Sequence, residues 1–267
     1  MSVQPPSPTP AQSRSNRTTV IVLVVIAVIL AVIAALLLQN VARHRQGAAA
    51  TSQAATSTTS AAAATTVPEP TPAPPVPDAQ TLELIRSETH RDPADTQAKG
   101  KVDAPVVMVV YSDFACPFCT RFAQEVEPEL ADLIQDGTLR IEWRDLAQIT
   151  ETSPLAAQAG IAAGNQGKFW EFHDAVYAAA DPQDHPEYTE DSLVEFARQA
   201  GVPDVERFRT DMNDATTVTA VNEATQHAHD IGIQGTPFLI VNDAAINGFR
   251  PVDYVRNTIA EQAANAS

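Results

Sequence analysis

The chemistry of this 267-residue chain centres on its two cysteines, Cys116 and Cys119, which two residues separate in the segment DFACPFCTRF. A pair with this spacing can be a redox couple, half of a metal site, a haem attachment site or a structural disulfide. Haem attachment needs a histidine directly after the second cysteine, and Thr120 stands there instead. A purely structural disulfide would close a very small loop, so it would constrain the unfolded chain little.

A metal site is not expected either. A structural zinc takes four ligands, and the sequence has no third cysteine. His227 and His229 are two residues apart, which places them on different sides of a helix. Met108 and the histidines offer no further copper ligand near the cysteines. We therefore expect no cofactor other than a redox-active disulfide between Cys116 and Cys119.

The segments around the pair place it where a strand meets a helix. Val106 to Phe114 is an apolar, β-branched run, which predicts a buried central strand. Pro117 suits the first turn of a helix. Cys116 then lies at the helix N-terminus, where unpaired N–H groups and the helix dipole lower the pKa of a thiol. Cys119, one turn later on the apolar face, is shielded, so we expect Cys116 to attack and Cys119 to resolve a mixed disulfide.

Strand and helix patterns alternate along the rest of the chain. The helix after the cysteines should kink at Pro128 and end at Gly137. Thr138 to Ala147 alternates like a second strand, which completes a strand–helix–strand unit. The remaining predicted elements are a short helix near residues 79–88, helices within residues 153–229, a hairpin from Pro237 to Gly248 and a terminal amphipathic helix from Pro251.

About 80 residues at the N-terminus do not resemble a globular domain. Val20 to Leu38 is a run of 19 apolar residues, long enough to cross a bilayer as a helix. The run is longer than that of a signal peptide, so we expect an uncleaved anchor, with cleavage near Ala48–Ala50 as the alternative. Residues 39–79 are rich in Ala, Ser, Thr and Pro and predict a disordered tether. Residues 1–19 form a cytoplasmic tail in this arrangement.

The formal net charge of the chain is −16. An acidic protein is repelled by nucleic acid and by anionic lipid. We therefore exclude nucleic acid as a partner. We expect the lipid bilayer to contact the chain through residues 20–38.

Three separated motifs resemble the DsbA-like thiol–disulfide oxidoreductases of the thioredoxin superfamily, in particular their membrane-tethered branch. The motifs are GKVDAPVVMVVYSDFACPFC, GKFWEFHDAV and GIQGTPFLIVND, and they follow one another within residues 80–262. The resemblance implies an α/β thioredoxin-like fold in two parts, residues 80–152 and 230–262. An all-helical insertion at residues 153–229 separates the two parts.

The same resemblance assigns a role to one loop, and the chain departs from the family pattern at two positions near the cysteines. It implies that Thr236 and Pro237 form the cis-proline loop, whose backbone pairs with an extended substrate peptide. The best-known oxidases of the family have a histidine between their cysteines, where this chain has Phe118 after Pro117. They and the thioredoxins also have a buried acid six residues before the first cysteine, where this chain has Val110.

Two further side chains have open roles. Asp113, which with Pro117 and Phe118 is expected to modulate the active site, is either a substitute proton acceptor or a cap of the helix. His173 is expected to be core or surface structure in the helical insertion.

Together these features predict a protein disulfide oxidoreductase in the cell membrane, with one span and a catalytic domain outside the cytoplasm. Its expected partners are exported proteins with cysteine thiols, which form a mixed disulfide at Cys116. By resemblance, a membrane quinone-linked reoxidase then restores the Cys116–Cys119 disulfide. The alternatives are a thiol reductase or isomerase of the same fold, and a non-catalytic peptide- or copper-binding module.

Overall fold

The fold is built on one mixed β-sheet. The computed structural model of the protein describes residues 71–266. The strands in this part of the chain are β1 (Ala98–Lys99), β2 (Val106–Ser112), β3 (Leu139–Asp145), β4 (Phe238–Val241) and β5 (Ala244–Asn247). Their order in the sheet is β1-β3-β2-β4-β5. β2 and β3 are parallel, whereas the other neighbours are antiparallel.

Helices cover both faces of the sheet, and a group of them lies between β3 and β4 in the chain. Within residues 71–266 the helices are α1 (Ala79–Ser87), α2 (Pro117–Arg121), α3 (Ala131–Asp136), α4 (Ser153–Gly164), α5 (Phe169–Ala179), α6 (Glu190–Gln199), α7 (Val205–Met212), α8 (Ala215–Asp230) and α9 (Val252–Asn265). This is the order of strand, helix, strand, inserted helices and hairpin that the sequence predicted.

β2 is the centre of the sheet and is buried along its whole length. Successive side chains of a strand point to opposite faces, so a strand covered on both faces needs apolar residues at every position. Met108 and Val110 pack on the face covered by α9 and by the residues after α2. Val107 and Val109 pack on the opposite face, against α1 and α8.

The helix that carries the cysteines is interrupted, as predicted. After α2 the chain forms a π-helical turn at Phe122–Val126 and a 3-10 turn at Glu127–Leu130 before α3 begins. Pro128 lies in the 3-10 turn. It interrupts the helix because a residue without an N–H cannot make the regular helical hydrogen bond. Gly137 then ends α3 with a φ of 89°, in the left-handed region that glycine adopts without strain.

The inserted helices pack around an aromatic core that reaches the cysteines. Trp143 of β3 stacks on Phe114 with ring centroids 5.1 Å apart, and Phe172 of α5 meets Phe114 edge-on at 5.9 Å. Cys116 and Cys119 belong to the same buried cluster. The core of the inserted helices is therefore continuous with the candidate active site.

The tether predicted at residues 39–79 is wrong at its C-terminal end, because residues 73–76 are docked on the fold. Alanine and proline bury little surface, so their composition predicted disorder. The docking depends instead on the open edge of β5 and on the surface of α9, which composition does not reveal. The contacts are a hydrogen bond from Ala73 N to Thr258 Oγ1 at 2.9 Å, a β-bridge between Pro75 and Ala244, and a hydrogen bond from Val76 N to Asp243 O at 2.8 Å.

Residues 1–70 lie outside the described part of the chain, and with them the predicted cytoplasmic tail, the predicted transmembrane helix at residues 20–38 and most of the predicted tether. Between residues 71 and 266, no helix combines the length and the apolar character that crossing a membrane requires.

β3 ends at a buried carboxyl, that of Asp145. Its oxygens accept hydrogen bonds from Trp143 Nε1 at 2.8 Å and from Gln97 Nε2 at 3.1 Å. The pKa of Asp145 is raised from 3.8 to about 6, chiefly by burial. The two hydrogen bonds oppose this rise, and the charge of Asp113 adds to it. Since the folded pKa exceeds the unfolded one, ionised Asp145 destabilises the fold. The penalty is complete above the folded pKa and disappears below the unfolded one.

Replacing Asp145 with Asn should raise the free energy of unfolding by about 1–3 kcal/mol near neutral pH. Asn keeps the acceptor for Trp143, and the Gln97 amide can turn to accept from the new NH₂ group. The gain should vanish near pH 4, where the wild-type carboxyl is protonated in the folded state. Urea unfolding at both pH values measures the difference, with the exposed Asp103→Asn as a control for the lost charge. An Asp145→Asn protein that is less stable than the wild type near neutral pH contradicts the prediction.

Candidate active site

The cysteines follow directly on the central strand. β2 stops at Ser112, a tight turn follows, and α2 begins at Pro117 with Cys116 as its N-cap residue. The Cys116 N–H donates to the Asp113 carbonyl at 3.0 Å, and the Thr120 N–H donates to the Cys116 carbonyl at 2.9 Å. Proline is accommodated at the first helical position because the N–H it lacks would have no partner within the helix.

Cys116 lies beside the loop that leads into β4. Both cysteines are free thiols in the structure, and Cys116 Sγ donates to the Thr236 carbonyl at 3.4 Å. The Thr236–Pro237 peptide bond is cis, as the resemblance to the DsbA-like family implied. The structure thus brings together the predicted catalytic cysteines and the predicted cis-proline loop. Phe118, between the cysteines, is 54% exposed and presents an apolar surface next to them.

The environment of Cys116 favours its thiolate and lowers its pKa to about 6. The hydrogen bond from the Cys119 thiol contributes most, and burial of Cys116 opposes it. The Thr236 hydroxyl and the backbone N–H groups of Cys119 and Phe118 also lower the pKa. These N–H groups belong to the first turn of α2, where a helix has donors without internal partners. At neutral pH the thiolate is therefore the favoured form of Cys116.

Cys119 has the opposite tendency. Its side chain is 1% exposed, and burial, followed by the neighbouring Cys116, raises the pKa of its thiol well above the ordinary value. One thiol is thus poised to ionise while the other keeps its proton. This difference is what the predicted roles of attacking and resolving cysteine require.

Asp113 holds the turn that carries the cysteines, so the predicted role as a cap of α2 is wrong. Cys116 is the N-cap residue, and no side chain caps this helix. Asp113 Oδ1 accepts from Ala115 N at 2.8 Å, and Oδ2 accepts from Gln148 N at 2.7 Å and from Ile149 N at 2.8 Å. Burial raises the pKa of Asp113, and these backbone hydrogen bonds oppose the rise. The carboxylate ties the cysteine turn to the loop after β3.

Two tyrosines of the inserted region bind the same turn, and the sequence analysis missed both. Tyr177 OH donates to the Asp113 carbonyl at 3.0 Å, and Tyr188 OH donates to the Phe114 carbonyl at 2.8 Å. Tyr177 OH is also 3.1 Å from Ser112 Oγ. The signal available in the sequence was that Tyr177 shares the apolar face of α5, since a buried tyrosine hydroxyl usually requires a partner.

A family model described as thioredoxin matches residues 93–261. The chain belongs to the thioredoxin family. The match includes β2, the cysteine turn, the inserted helices and the cis-proline loop, so the thioredoxin-like α/β fold that the resemblance implied is confirmed.

Relatives of this thioredoxin-family chain include proteins named for disulfide formation. A probable disulfide bond formation protein D of Bacillus cereus is 32% identical over 156 residues, which are 57% of this chain and 72% of that protein. The crystal structure of oxidised BdbD from Bacillus subtilis superposes with a TM-score of 0.58 at 26% identity, over 63% of this chain and 92% of BdbD. The resemblance to DsbA-like oxidoreductases is confirmed, and these names support the predicted disulfide oxidoreductase activity.

Other relatives are much longer than this chain. The Na⁺/H⁺ antiporter NhaA 1 of Salinispora arenicola is 34% identical over 161 residues, which are 59% of this chain but only 23% of the antiporter. This thioredoxin-family chain therefore matches about a quarter of the length of such relatives.

The histidines considered from the sequence have partners other than the cysteine sulfurs. His173 is buried in the aromatic core, with its ring centroid 4.8 Å from that of Tyr177, so its predicted structural role agrees with its position. His227 contacts Glu88, and His229 contacts Gln148. Among residues 71–266, no group of three or more His, Cys, Asp or Glu side chains could hold a metal ion.

Thiolate absorbance near 240 nm should report the ionisation of Cys116. In the reduced protein the midpoint should lie near pH 6, and Cys116→Ser should abolish the transition. Cys119→Ala removes the main hydrogen-bond donor and should raise the midpoint by about one unit or more. Cys119→Ser keeps a hydroxyl donor and is the matched control, with a midpoint closer to that of the wild type. Equal midpoints in the Ala and Ser variants are incompatible with this origin of the low pKa.

Replacing Asp113 with Asn should destabilise the fold by about 2–4 kcal/mol, because an NH₂ group would face backbone N–H donors that then lack an acceptor. Chemical denaturation measures the loss. Asp136→Asn is a matched control, since Asp136 also accepts from a backbone N–H, that of Thr138, but is exposed. Its effect should be below about 1 kcal/mol. Similar losses in the two variants are not expected if the Asp113 hydrogen bonds hold the turn.

Proposed function

We propose that the protein is an extracytoplasmic thiol–disulfide oxidoreductase that introduces disulfides into exported proteins. The observation that carries this proposal is the position of Cys116 at the start of α2, with its sulfur 3.4 Å from the Thr236 carbonyl of the cis-proline loop. The lowered pKa of Cys116 and the raised pKa of Cys119 agree with it. A thiolate stabilised at Cys116 stabilises the reduced enzyme, which favours transfer of electrons to the oxidised enzyme. The names of the Bacillus relatives point to the same activity.

The reaction begins with the Cys116–Cys119 disulfide. A substrate thiolate attacks Cys116 Sγ, a mixed disulfide forms, and the electron pair of the broken bond passes to Cys119 Sγ. A second substrate thiol then loses its proton and attacks the substrate sulfur, which releases Cys116 as a thiolate. The substrate gains a disulfide and gives two electrons to the enzyme. The low pKa of Cys116 favours the second step, because Cys116 is the leaving group there.

The surroundings of Cys116 suit an unfolded substrate. The backbone of Thr236 lies beside the Cys116 sulfur. The carbonyl and N–H groups of an extended peptide can form hydrogen bonds with this backbone. The exposed ring of Phe118 offers apolar contact to side chains that a folded protein would bury. These features support exported proteins that still have free thiols as the substrate class.

The proposal includes a place in the cell and a partner. The apolar run at residues 20–38 supports a single membrane anchor, which would keep the catalytic domain at the outer face of the cell membrane. An oxidising exterior is where disulfide formation is useful and persistent. A membrane quinone-linked reoxidase would accept the two electrons and regenerate the disulfide, since the enzyme is reduced once in each cycle.

Equilibration with glutathione and trapping of the intermediate test the activity. The redox potential should be intermediate to oxidising, closer to about −120 mV than to about −270 mV. With an unfolded protein whose cysteines carry glutathione in mixed disulfides, the Cys116 thiolate of Cys119→Ser should displace glutathione and accumulate a mixed disulfide with the protein, and Cys116→Ser should accumulate none. A potential near or below that of thioredoxins would identify a reductase instead. Oxidative refolding that Cys116→Ser still supports would identify a non-catalytic peptide-binding module.

A further inference from the structure

The cis-proline loop lies in a segment without regular structure. Residues 231–237 form no helix or strand. At one end Ile233 N donates to a carbonyl of α8 at 2.9 Å, and at the other end Gly248 N donates to the Pro237 carbonyl at 2.9 Å. Between these two bonds lie residues 234–236, which include the backbone proposed to pair with a substrate. If this stretch became ordered only on binding, the cost of ordering it would weaken the affinity for the peptide.

The side chain of Gln148 holds this stretch in place. Gln148 Nε2 donates to the Gln234 carbonyl at 2.9 Å, two residues before Thr236. In the described part of the chain, the backbone of residues 234–236 accepts one further hydrogen bond, from Cys116 Sγ to the Thr236 carbonyl at 3.4 Å. That bond needs the thiol proton, which Cys116 lacks as a thiolate and in a disulfide. The Gln148 contact does not depend on the redox state of Cys116.

Gln148 is also bonded to the turn that carries the cysteines. Its backbone N–H donates to Asp113 Oδ2 at 2.7 Å, and Asp113 lies three residues before Cys116. The backbone of Gln148 is thus fixed against the turn, while its side chain reaches the cis-proline loop. One residue therefore links the two parts of the site that a peptide substrate meets together. Because the bond to Asp113 is made by the backbone, a change of the Gln148 side chain releases the loop and leaves this bond to the turn in place.

His229 determines how the Gln148 amide is oriented. A carbonyl oxygen only accepts hydrogen bonds, so the Gln148 atom that meets the Gln234 carbonyl is the amide nitrogen. The amide oxygen then faces His229, whose Nε2 lies 2.6 Å from Gln148 Oε1. This ring nitrogen therefore carries a proton and donates it. The backbone carbonyl of His229 also accepts from Gln234 Nε2 at 3.3 Å, so the end of α8 contacts both partners.

We propose that Gln148 is a positioning residue that holds the cis-proline loop where the backbone of an extended peptide can pair with it, and that His229 orients the Gln148 amide. This inference rests on the thiol–disulfide exchange proposed above. Gln148 acts through the backbone of the loop and takes no part in the transfer of electrons between sulfurs. Its side chain should therefore matter for polypeptide substrates, which pair with the loop, and not for small dithiols, which have no backbone to pair.

The rate at which two reductants reduce the oxidised full chain tests the proposal. One reductant is an unstructured peptide with two reduced cysteines, and the other is dithiothreitol. Gln148→Ala should lower the second-order rate constant with the peptide by about threefold to tenfold, which corresponds to the loss of one neutral hydrogen bond. The rate constant with dithiothreitol should stay within about twofold of the wild-type value. Gln148→Met fills more of the space but donates no hydrogen bond, so it should behave like Gln148→Ala.

Two variants of His229 test the orientation of the amide. His229→Gln keeps an N–H donor and should retain the wild-type rate constants with both reductants. His229→Leu has no donor and should lower the rate constant with the peptide alone, by a smaller factor than Gln148→Ala. Gln166→Ala is the matched control, because the Gln166 amide also bonds a distant backbone, donating to Asp204 O at 2.9 Å and accepting from Asp204 N at 3.0 Å. Both of its rate constants should equal those of the wild type.

Equal losses with the peptide and with dithiothreitol in the Gln148 variants overturn the proposal, because the side chain would then maintain the site as a whole. Peptide rate constants within about twofold of the wild type in both Gln148 variants overturn it as well. A His229→Gln variant as slow with the peptide as His229→Leu refutes the role of His229. If Gln148→Ala does not fold, Gln148→Met and His229→Leu decide by the same criteria. A wild-type protein that exchanges with neither reductant would instead refute the proposed function, which is distinct from normal exchange with unaffected Gln148 variants.

Discussion

The hydrogen bonds of the Asp113 carboxylate are the constraint on which the active site depends. A carboxylate buried at 2% exposure is tolerated only where donors surround it, and here the donors are the N–H groups of Ala115, Gln148 and Ile149. Because these residues belong to two different loops, the turn after β2 cannot move without leaving a charge unpaired. The start of α2, and with it Cys116, is fixed as a result.

The inserted helices complete this arrangement from the other side. Tyr177 and Tyr188 donate to the Asp113 and Phe114 carbonyls, so the turn is held by side chains of the insertion as well as by the loop after β3. The aromatic core of the insertion lies directly behind the cysteines. Burial of Cys119 and the placement of donors around Cys116 therefore depend on both parts of the fold, and the difference in pKa between the two thiols depends on both as well.

The sequence was sufficient for the features that depend on neighbouring residues. The apolar run from Val106 to Phe114 predicted β2, which ends at Ser112, and Pro117 after Cys116 predicted the helix start. The cis bond at Thr236–Pro237 was implied by the family resemblance. It was insufficient where partners are distant in the chain. A helix cap was one of the two roles considered for Asp113, because only nearby donors could be judged from the sequence, whereas two of its three donors are 35 and 36 residues away. The docking of residues 73–76 depends likewise on a sheet edge that forms far along the chain.

The docked segment at residues 73–76 has a consequence for how the protein meets unfolded chains. An exposed sheet edge is a template on which any extended backbone can pair and aggregate. Here one edge strand, β1, is two residues long. At the start of β5, Pro75 forms a β-bridge with Ala244 and Val76 N donates to Asp243 O, and a proline offers no N–H to a further strand. If the substrates are unfolded, as proposed, the short β1 and the docked segment leave them less sheet edge to pair with than two bare edge strands would, which favours pairing at the loop beside Cys116.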